Sequence, residues 1–505
     1  MRQRIPLALT ILALGCRGHL IDDNGSGGNQ PPTTNASFAI QLSGQNAEQV
    51  ADVAADPLGN VYVTGTFNGI TDFDPGSGTT ALTSLGGTDG FLAKYSPSGS
   101  LQWVSRFGGS GTENVTSLVR DASGNLYVGG SFSGAADFDP GPGFQVLNSL
   151  GDLDGFVAKY SGSGDLVWVR RFGGTASDQV NDLAVDAAGN VYAVGAFLGQ
   201  ANSLPAAGPT LVADGSAIDG FVLALDAGGT IRWALPIGGN QDDEVRAVAV
   251  GLGGSITVAG SFHGGADFAR NATAVRLTAQ GGADLFLAQY SSAGQLAWTK
   301  DIGGTSDESM PTRGLSLDGQ GGAVLVGQFA GSADFDPGPG LAARTSFSTA
   351  DLFLARYDAN GNFVSVGTMG GPGTVSGTRV LADADGSVLL TGSFTGSLDF
   401  DPGAGTTTLA SLGQAGATDA FAARYSATGS LVWVSRFGEA TSAADRLNGA
   451  TALALDPTGF IVVGGNFFGS PDFDPGSSAL VFTSLGESDG FALKLTPGGS
   501  LATNP

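Results

Sequence analysis

Five acidic residues, Glu48, Glu113, Asp178, Asp243 and Glu308, recur at intervals of 65 residues. Carboxylates held at one radius of a repeating structure can gather a cation or a polar ligand, and two of them roughly 5 to 9.5 Å apart can hydrolyse a glycoside. The same side chains can instead accept hydrogen bonds from backbone N–H groups in glycine-rich turns. A second motif, Asp-Phe-Asp-Pro-Gly, sets Asp72 with Asp74, Asp137 with Asp139, Asp334 with Asp336, Asp399 with Asp401, and Asp472 with Asp474. Each pair offers oxygens to Ca2+, which takes roughly six to eight. Pro-Gly is also what a type II turn requires, because proline presets the first central residue and glycine accepts positive φ at the second. On the turn reading, Phe73 and Leu82 lie on the two arms of a small extra hairpin. The third copy lacks the motif (Gly199 to Asn202) and the fourth keeps only Asp267-Phe268, which excludes a strictly repeated cation site.

Other chemistries have little to work with. The 505-residue chain has one Cys (Cys16) and two His (His19 and His263). That is too few for Cys-based zinc sites, a disulfide framework or His-centred catalysis. His263 adjoins Gly264-Gly265, with no Gly-x-Ser-x-Gly nucleophile motif nearby. A net charge of −24 with 22 Lys and Arg excludes a nucleic-acid surface, which needs cations to displace counterions. Only six of the 46 acids are Glu, and Asp is the acid that hydrogen-bonds its own backbone in turns. Turn demands therefore account for most of the acidity, and no resident cofactor other than Ca2+ is suggested. The expectation is a non-enzymatic protein, with a carboxylate glycosidase or lyase as the catalytic alternative.

The elements that position these residues follow from a repeat. Trp103, Trp168, Trp233 and Trp298 are 65 apart, followed in register by Ser365 and Trp433. Asp89, Asp154, Asp219, Asp284, Asp351, Asp419 and Asp489 mark seven copies of an Asp-x-Phe step. The first copy contains four β-type runs, Val50 to Ala55, Asn60 to Phe67, Gly90 to Tyr95 and Leu101 to Phe107, with turn composition between the first and last pairs. Helical periodicity is absent. Four strands per unit, seven times, predict an all-β, seven-bladed propeller of four-stranded antiparallel blades over residues 36–505. The seventh copy ends after its third strand, Gly490 to Leu495, and Ser37 to Leu42 is a fourth strand without predecessors. Pairing the two closes the ring and removes free edges. The acidic column should then ring one mouth of the channel, on the face that also carries the long loops, as a candidate ligand or cation face. Aromatics at fixed positions should pack between blades, leaving a weaker blade at Ser365. Lys94, Lys159, Arg356, Arg424 and Lys494 form a basic column expected to partner the abundant Asp.

Val180 to Tyr192 and Asp154 to Tyr160, followed by Trp168 and Phe172-Gly173-Gly174, resemble the bacterial SBBP β-propeller repeat over roughly residues 36–502. The resemblance implies the fold and an exported context, and brings no common ligand or reaction. Arg2 and Arg4 precede an apolar stretch from Ile5 to Leu14, which reads as a signal peptide over residues 1–15. Leu12 to Cys16 resembles a bacterial lipobox, in which Cys16 is lipidated and becomes the mature N-terminus. Residues 16–35 read as the lipidated Cys and a flexible tether. Arg17, by resemblance to Gram-negative lipoproteins, implies the outer membrane or cell surface. The expected partner is a protein or glycan at that surface, met by a monomer whose contact with the membrane is the lipid anchor alone.

Overall fold

The computed structural model describes residues 38–204, 209–269, 274–413, 416–439 and 449–502. The signal segment, Cys16 and the tether lie outside the described residues, as does Asn448, a position at which the acidic column lapses in sequence.

In the first copy, β1 (Ala39–Gly44) belongs to the seam, and β2 (Glu48–Ala55) opens the repeat. β3 (Val61–Phe67) follows, then a small hairpin of β4 (Ile70–Asp72) and β5 (Ala81–Thr83). β6 (Asp89–Tyr95) and β7 (Leu101–Gly109) complete it. β2, β3, β6 and β7 pair as an antiparallel meander. The turn from β2 to β3 closes through Asp56 N–H to the Asn60 carbonyl, 3.0 Å, with Gly59 at φ 79 where a side chain would be strained. β3 is buried along its whole length, while β7 is half-exposed over its first six residues. That gradient marks β3 as interior and β7 as the outer edge.

Each copy's first strand neighbours the first strands of the copies before and after it, and the cycle closes where Gly449–Leu455 meets β2. The molecule is thus an antiparallel β-propeller. Its seam is the expected one: β1 pairs with Asp489–Leu495, with Gln41 opposite Phe491 and Ala39 opposite Leu493.

The strands are not hydrogen-bonded as seven separate four-stranded blades. Five sheets contain five to ten strands, one contains four, and one is a two-stranded hairpin. The small hairpin of each copy causes the difference by docking on the outer strand of the copy before. Ser43 and Gly44 of β1 pair with Asp72 and Thr71, and Gly108 and Gly109 of β7 pair with Asp137 and Ala136. Glycine permits this approach, since a methyl group on Gly109 would collide with the Ala135 carbonyl. In the fourth copy the hairpin arms are continuous with the long strands Ile256–Asp267 and Arg276–Tyr290, which merges two copies into the ten-stranded sheet.

The core lies between successive copies. One cluster joins Tyr62 and Leu92 to Leu118, Phe132 and Phe156 of the next copy, and the seam cluster joins Phe38, Ile40 and Leu42 to Val50 and Phe67. Each such side chain contributes roughly 1.5–3 kcal/mol by leaving water. At the hub, Arg313 (φ 65) reaches from the fifth copy to the Ala51 carbonyl at 2.7 Å, the Thr451 carbonyl at 3.0 Å and the Asp52 carboxylate at 2.6 Å. Among the described residues, no helix is long and apolar enough to cross a membrane.

Candidate functional site

The acidic column begins the inner strands, but its side chains do not ring an open mouth. Glu48, Glu113, Asp178, Asp243 and Glu308 are all at most 1% exposed. The physical reason is packing against the glycine-bearing turn before each acid and the Asp of the preceding copy, with the docked hairpin above Glu48. Thr71 of β4 donates to Glu48 at 2.7 Å, and Gly87 N–H reaches the Gly111 carbonyl at 2.8 Å just before Glu113. Asp178 accepts from Gly174 N–H at 2.7 Å, and Glu308 from Gly304 N–H at 2.9 Å. The capping alternative therefore describes their contacts, and an exposed cation or ligand face made of these five acids is corrected.

Each column acid faces the Asp of the Asp-x-Phe step on the preceding copy: Glu48 with Asp489, Glu113 with Asp89, Asp178 with Asp154, Asp243 with Asp219, and Glu308 with Asp284. That Asp closes the long loop. Asp89 accepts from Leu85 N–H at 3.0 Å, Asp154 from Leu150 at 3.1 Å, and Asp351 from Phe347 at 2.7 Å. Burial, followed by the neighbouring negative charge of Asp89, pushes Glu113 up to about 8. Burial likewise raises Glu48 and Glu308 to about 8, and Asp178 and Asp243 to about 7. Glu48 Oε2, Glu113 Oε1, Asp89 Oδ1 and Asp154 Oδ1 have no hydrogen-bond partner among the described residues. A carboxyl that keeps its proton is the cheaper form in such a place.

Three copies answer the Asp with arginine: Arg106 to Asp89 at 3.6 Å, Arg171 to Asp154 at 2.5 Å, and Arg436 to Asp419 at 3.7 Å. The fourth copy reverses the sign. There Asp301 occupies the register position of Arg106, opposite Phe286 as Arg106 is opposite Phe91. Asp284 and Asp301 are both raised, Asp284 mainly by burial and Asp301 by burial and then by the charge of Asp284. Sequence reading missed this substitution; the column one residue before each Phe-Gly-Gly or Ile-Gly-Gly, Arg106, Arg171, Pro236 and Asp301, shows it.

The Asp-Phe-Asp-Pro-Gly motifs form turns braced by their own Asp side chains, not the expected type II turn, since Gly76, Gly141, Gly338, Gly403 and Gly476 do not take positive φ. Asp72 Oδ1 accepts from Asp74 N–H at 3.0 Å and Thr80 N–H at 2.9 Å, and Asp74 Oδ1 accepts from Gly76 N–H at 2.9 Å. The pattern recurs at Asp137 and Asp139, Asp334 and Asp336, Asp399 and Asp401, and Asp472 and Asp474. Among the described residues, no group of three or more His, Cys, Asp or Glu side chains is arranged to hold a metal ion. Phe73 is fully buried against Phe67 at 5.4 Å and Phe91 at 5.0 Å, and Tyr95 donates to its carbonyl at 2.9 Å. The expected hairpin arms are those of Phe73 and Leu82, with Thr71 opposite Leu82.

In the basic column, Lys94 lies 3.9 Å from Asp56, Arg424 2.9 Å from Asp383, and Lys494 3.6 Å from Asp456. Lys159 and Arg356 bond backbone carbonyls instead. His263 Nδ1 lies 2.6 Å from the Asp242 carbonyl, beside a shallow cleft shared with Gln241 and Ser216.

Two larger clefts lie at equivalent junctions of the outer rim. One of about 510 Å3 is lined by Thr83, Arg106, Asp137, Asp139 and Phe144; the other, of about 450 Å3, by Phe347, Asp351, Asp399 and Asp401. Large apolar side chains stand exposed around them: Phe144 is 85% exposed and Phe347 73%. The recurring Ser-Leu or Ser-Phe before the Asp-x-Phe step (Leu85, Leu150, Phe347, Leu485) is the sequence signal for these positions.

The SBBP beta-propeller repeat matches residues 167–195. Regulatory protein FlaEY of Caulobacter vibrioides is 27% identical over 299 residues, which is 55% of this chain and 30% of that protein. An uncharacterized WD repeat-containing protein of Acanthamoeba polyphaga mimivirus is 27% identical over 154 residues, 29% of this chain and 11% of its own. The chain therefore spans less than a third of the length of these relatives. Solved structures similar to it include an ulvan lyase, at 12% identity and TM-score 0.39 over 85% of this chain and 92% of that one. A protein from Lactobacillus plantarum gives 14% identity and TM-score 0.39 over 85% and 98%.

Proposed function

We propose that this chain is an exported, lipid-anchored β-propeller that acts as a non-catalytic binding or scaffold module at a bacterial surface, with a protein or glycan as partner. The observation that carries the reading is the display of apolar side chains on the loops. Leu85, Phe144, Leu150, Leu341, Phe347 and Leu485 are each more than half exposed, and Leu85, Phe144 and Phe347 line the rim clefts. Loops on a rigid scaffold are where binding concentrates, and grouped exposed apolar residues mark interaction sites. The carboxylate pairs argue against hydrolysis, because burial keeps a substrate from reaching them. The test is a binding screen against surface proteins and glycans, repeated with Leu85, Leu150, Phe347 and Leu485 all changed to Ser. The melting temperature should hold and binding should drop; full binding by the variant rejects the rim. Export and anchoring are tested separately by metabolic labelling with a palmitate analogue, expected in the parent chain and absent in Cys16→Ala.

A calcium-stabilised surface domain is the second reading. It rests on Asp74, whose Oδ1 serves the turn while Oδ2 accepts no hydrogen bond among the described residues. A melting temperature lowered by chelator and restored by Ca2+ supports it, and an unchanged melt rejects it.

A further inference from the structure

We infer that the junction at Ser365 is a binding site for an indole ring. Phe38, Trp103, Trp168, Trp233, Trp298 and Trp433 occupy one position of the outermost strands, and each lies against the turn glycine of the following copy. A methyl group on Gly164 would sit 3.0 Å from Trp103, one on Gly229 2.8 Å from Trp168, and one on Gly294 2.8 Å from Trp233. The same holds for Gly361 with Trp298 at 2.7 Å and Gly499 with Trp433 at 2.6 Å.

Ser365 holds this position in the fifth copy, opposite Arg356 as Trp103 is opposite Lys94. The facing glycine, Gly429, has nothing among the described residues within 4 Å of a methyl group built on it. What remains is a cleft of about 160 Å3 lined by Leu354, Arg356, Ser365, Val366, Pro402 and Gly429. A cavity of about 150 Å3 suffices for a benzene ring.

The seat keeps the features that hold tryptophan elsewhere. Trp168, Trp233 and Trp433 donate their indole N–H to the carbonyls of Ala227, Ser292 and Pro497, each two residues before the turn glycine. The equivalent carbonyl before Gly429 is that of Ala427. Arg356 is 8% exposed, and its buried Nε has no hydrogen-bond partner among the described residues. A guanidinium beside an aromatic face is attractive, as where Arg170 lies 5.4 Å from the Trp168 ring. All five tryptophans of the chain already fill equivalent positions, so the ring must come from another molecule. This inference is independent of the rim proposed above.

The experiment titrates two probes, indole and N-acetyltryptophanamide, into the full chain by calorimetry. Saturable binding with one site per chain is expected, weakened at least about tenfold in Ser365→Trp, whose own ring fills the seat. Ser365→Leu provides a smaller block should the tryptophan variant not fold, and Ser365→Ala should bind as the parent does. Binding of both probes assigns the seat to a tryptophan side chain on a partner protein, whereas indole alone assigns it to a free indole compound. No saturable binding of either probe, or binding undiminished in both blocking variants, overturns the inference.

Discussion

Asp154 and Asp178, supplied by successive copies of the repeat, close on the same glycine: a methyl group on Gly173 would lie 2.7 Å from the Asp154 carboxyl carbon and 2.8 Å from Asp178 Oδ2. Two buried acids thus share one small space at a joint between copies, and the same arrangement surrounds Gly303 with Asp284 and Glu308. Shared protons, more than fixed negative charge, are what such joints favour.

Burial of these acids makes stability fall as pH rises. Unfolded, Glu113 and Glu308 titrate near 4.5; folded, they are pushed up to about 8. Between those values the native state holds more protons than the unfolded one, so each rise in pH favours unfolding. Their contribution is intact below about pH 4.5 and is lost through about pH 8. Thermal melts should fall across that window. Glu113→Gln, which needs no proton to stay neutral, should be more stable than the parent at pH 8.5, by on the order of a few kcal/mol. A flat profile from pH 5 to 8.5 would contradict it. Asp56 acts at the other end: burial would raise it, but bonds from Asn60 and Leu58 hold it below its usual value, so its share is lost only in acid.

The fourth copy offers a gain-of-stability test. Asp301→Arg places a guanidinium where Arg106 and Arg171 already stand, next to Asp284. The melting temperature should rise at pH 8, where Asp284 and Glu308 are pressed to ionise, and the gain should shrink at pH 5. Conversely, Arg171→Met leaves Asp154 buried without its cation and should cost about 3–5 kcal/mol by denaturant titration. Equal melts for either variant and the parent would reject the role given to this strand position.

Tyr95 ties the small hairpin to the blade. Tyr95→Phe removes only the hydroxyl that donates to the Phe73 carbonyl, and should cost about 0.5–1.5 kcal/mol. Phe73→Ala, which empties the space between Phe67 and Phe91, should cost about 3–5 kcal/mol. Hydrogen exchange should rise first at residues 70–83 in the tyrosine variant; uniform exchange across the chain would be the contrary result.

The seam gives the fourth test. Deleting residues 38–44 exposes the edge of Asp489–Leu495, which an unpaired strand presents to other molecules. The truncated protein should elute as aggregates in size-exclusion chromatography, and a peptide spanning residues 36–46 should restore the monodisperse peak. A truncated chain that stays monodisperse and melts as the parent does would show that the seam contributes little.

Much of this architecture is legible in the sequence, for physical reasons. The constant interval between Trp103, Trp168 and Trp233 reports a fixed junction between copies, and Phe38 in that column points to a strand missing from the other end. Gln41 opposite Phe491 is the result. The burial of Glu113 was not legible, because a charged letter carries no information on what packs against it. Nor was the joining of sheets. Gly108-Gly109 signals a close approach, but not that Ala136 and Asp137 would arrive there.

Arg313 has a consequence for how this toroid comes apart. The join between chain start and chain finish is fastened at its perimeter by β1 and at its centre by one guanidinium spoke bound to Ala51 and Thr451. Peeling the outer fastening leaves the axle in place, and cutting the axle leaves the zipper. Opening the circle into an arc requires the loss of both, together with the bonds that Thr451 and Asn466 make to Val50 across the same join.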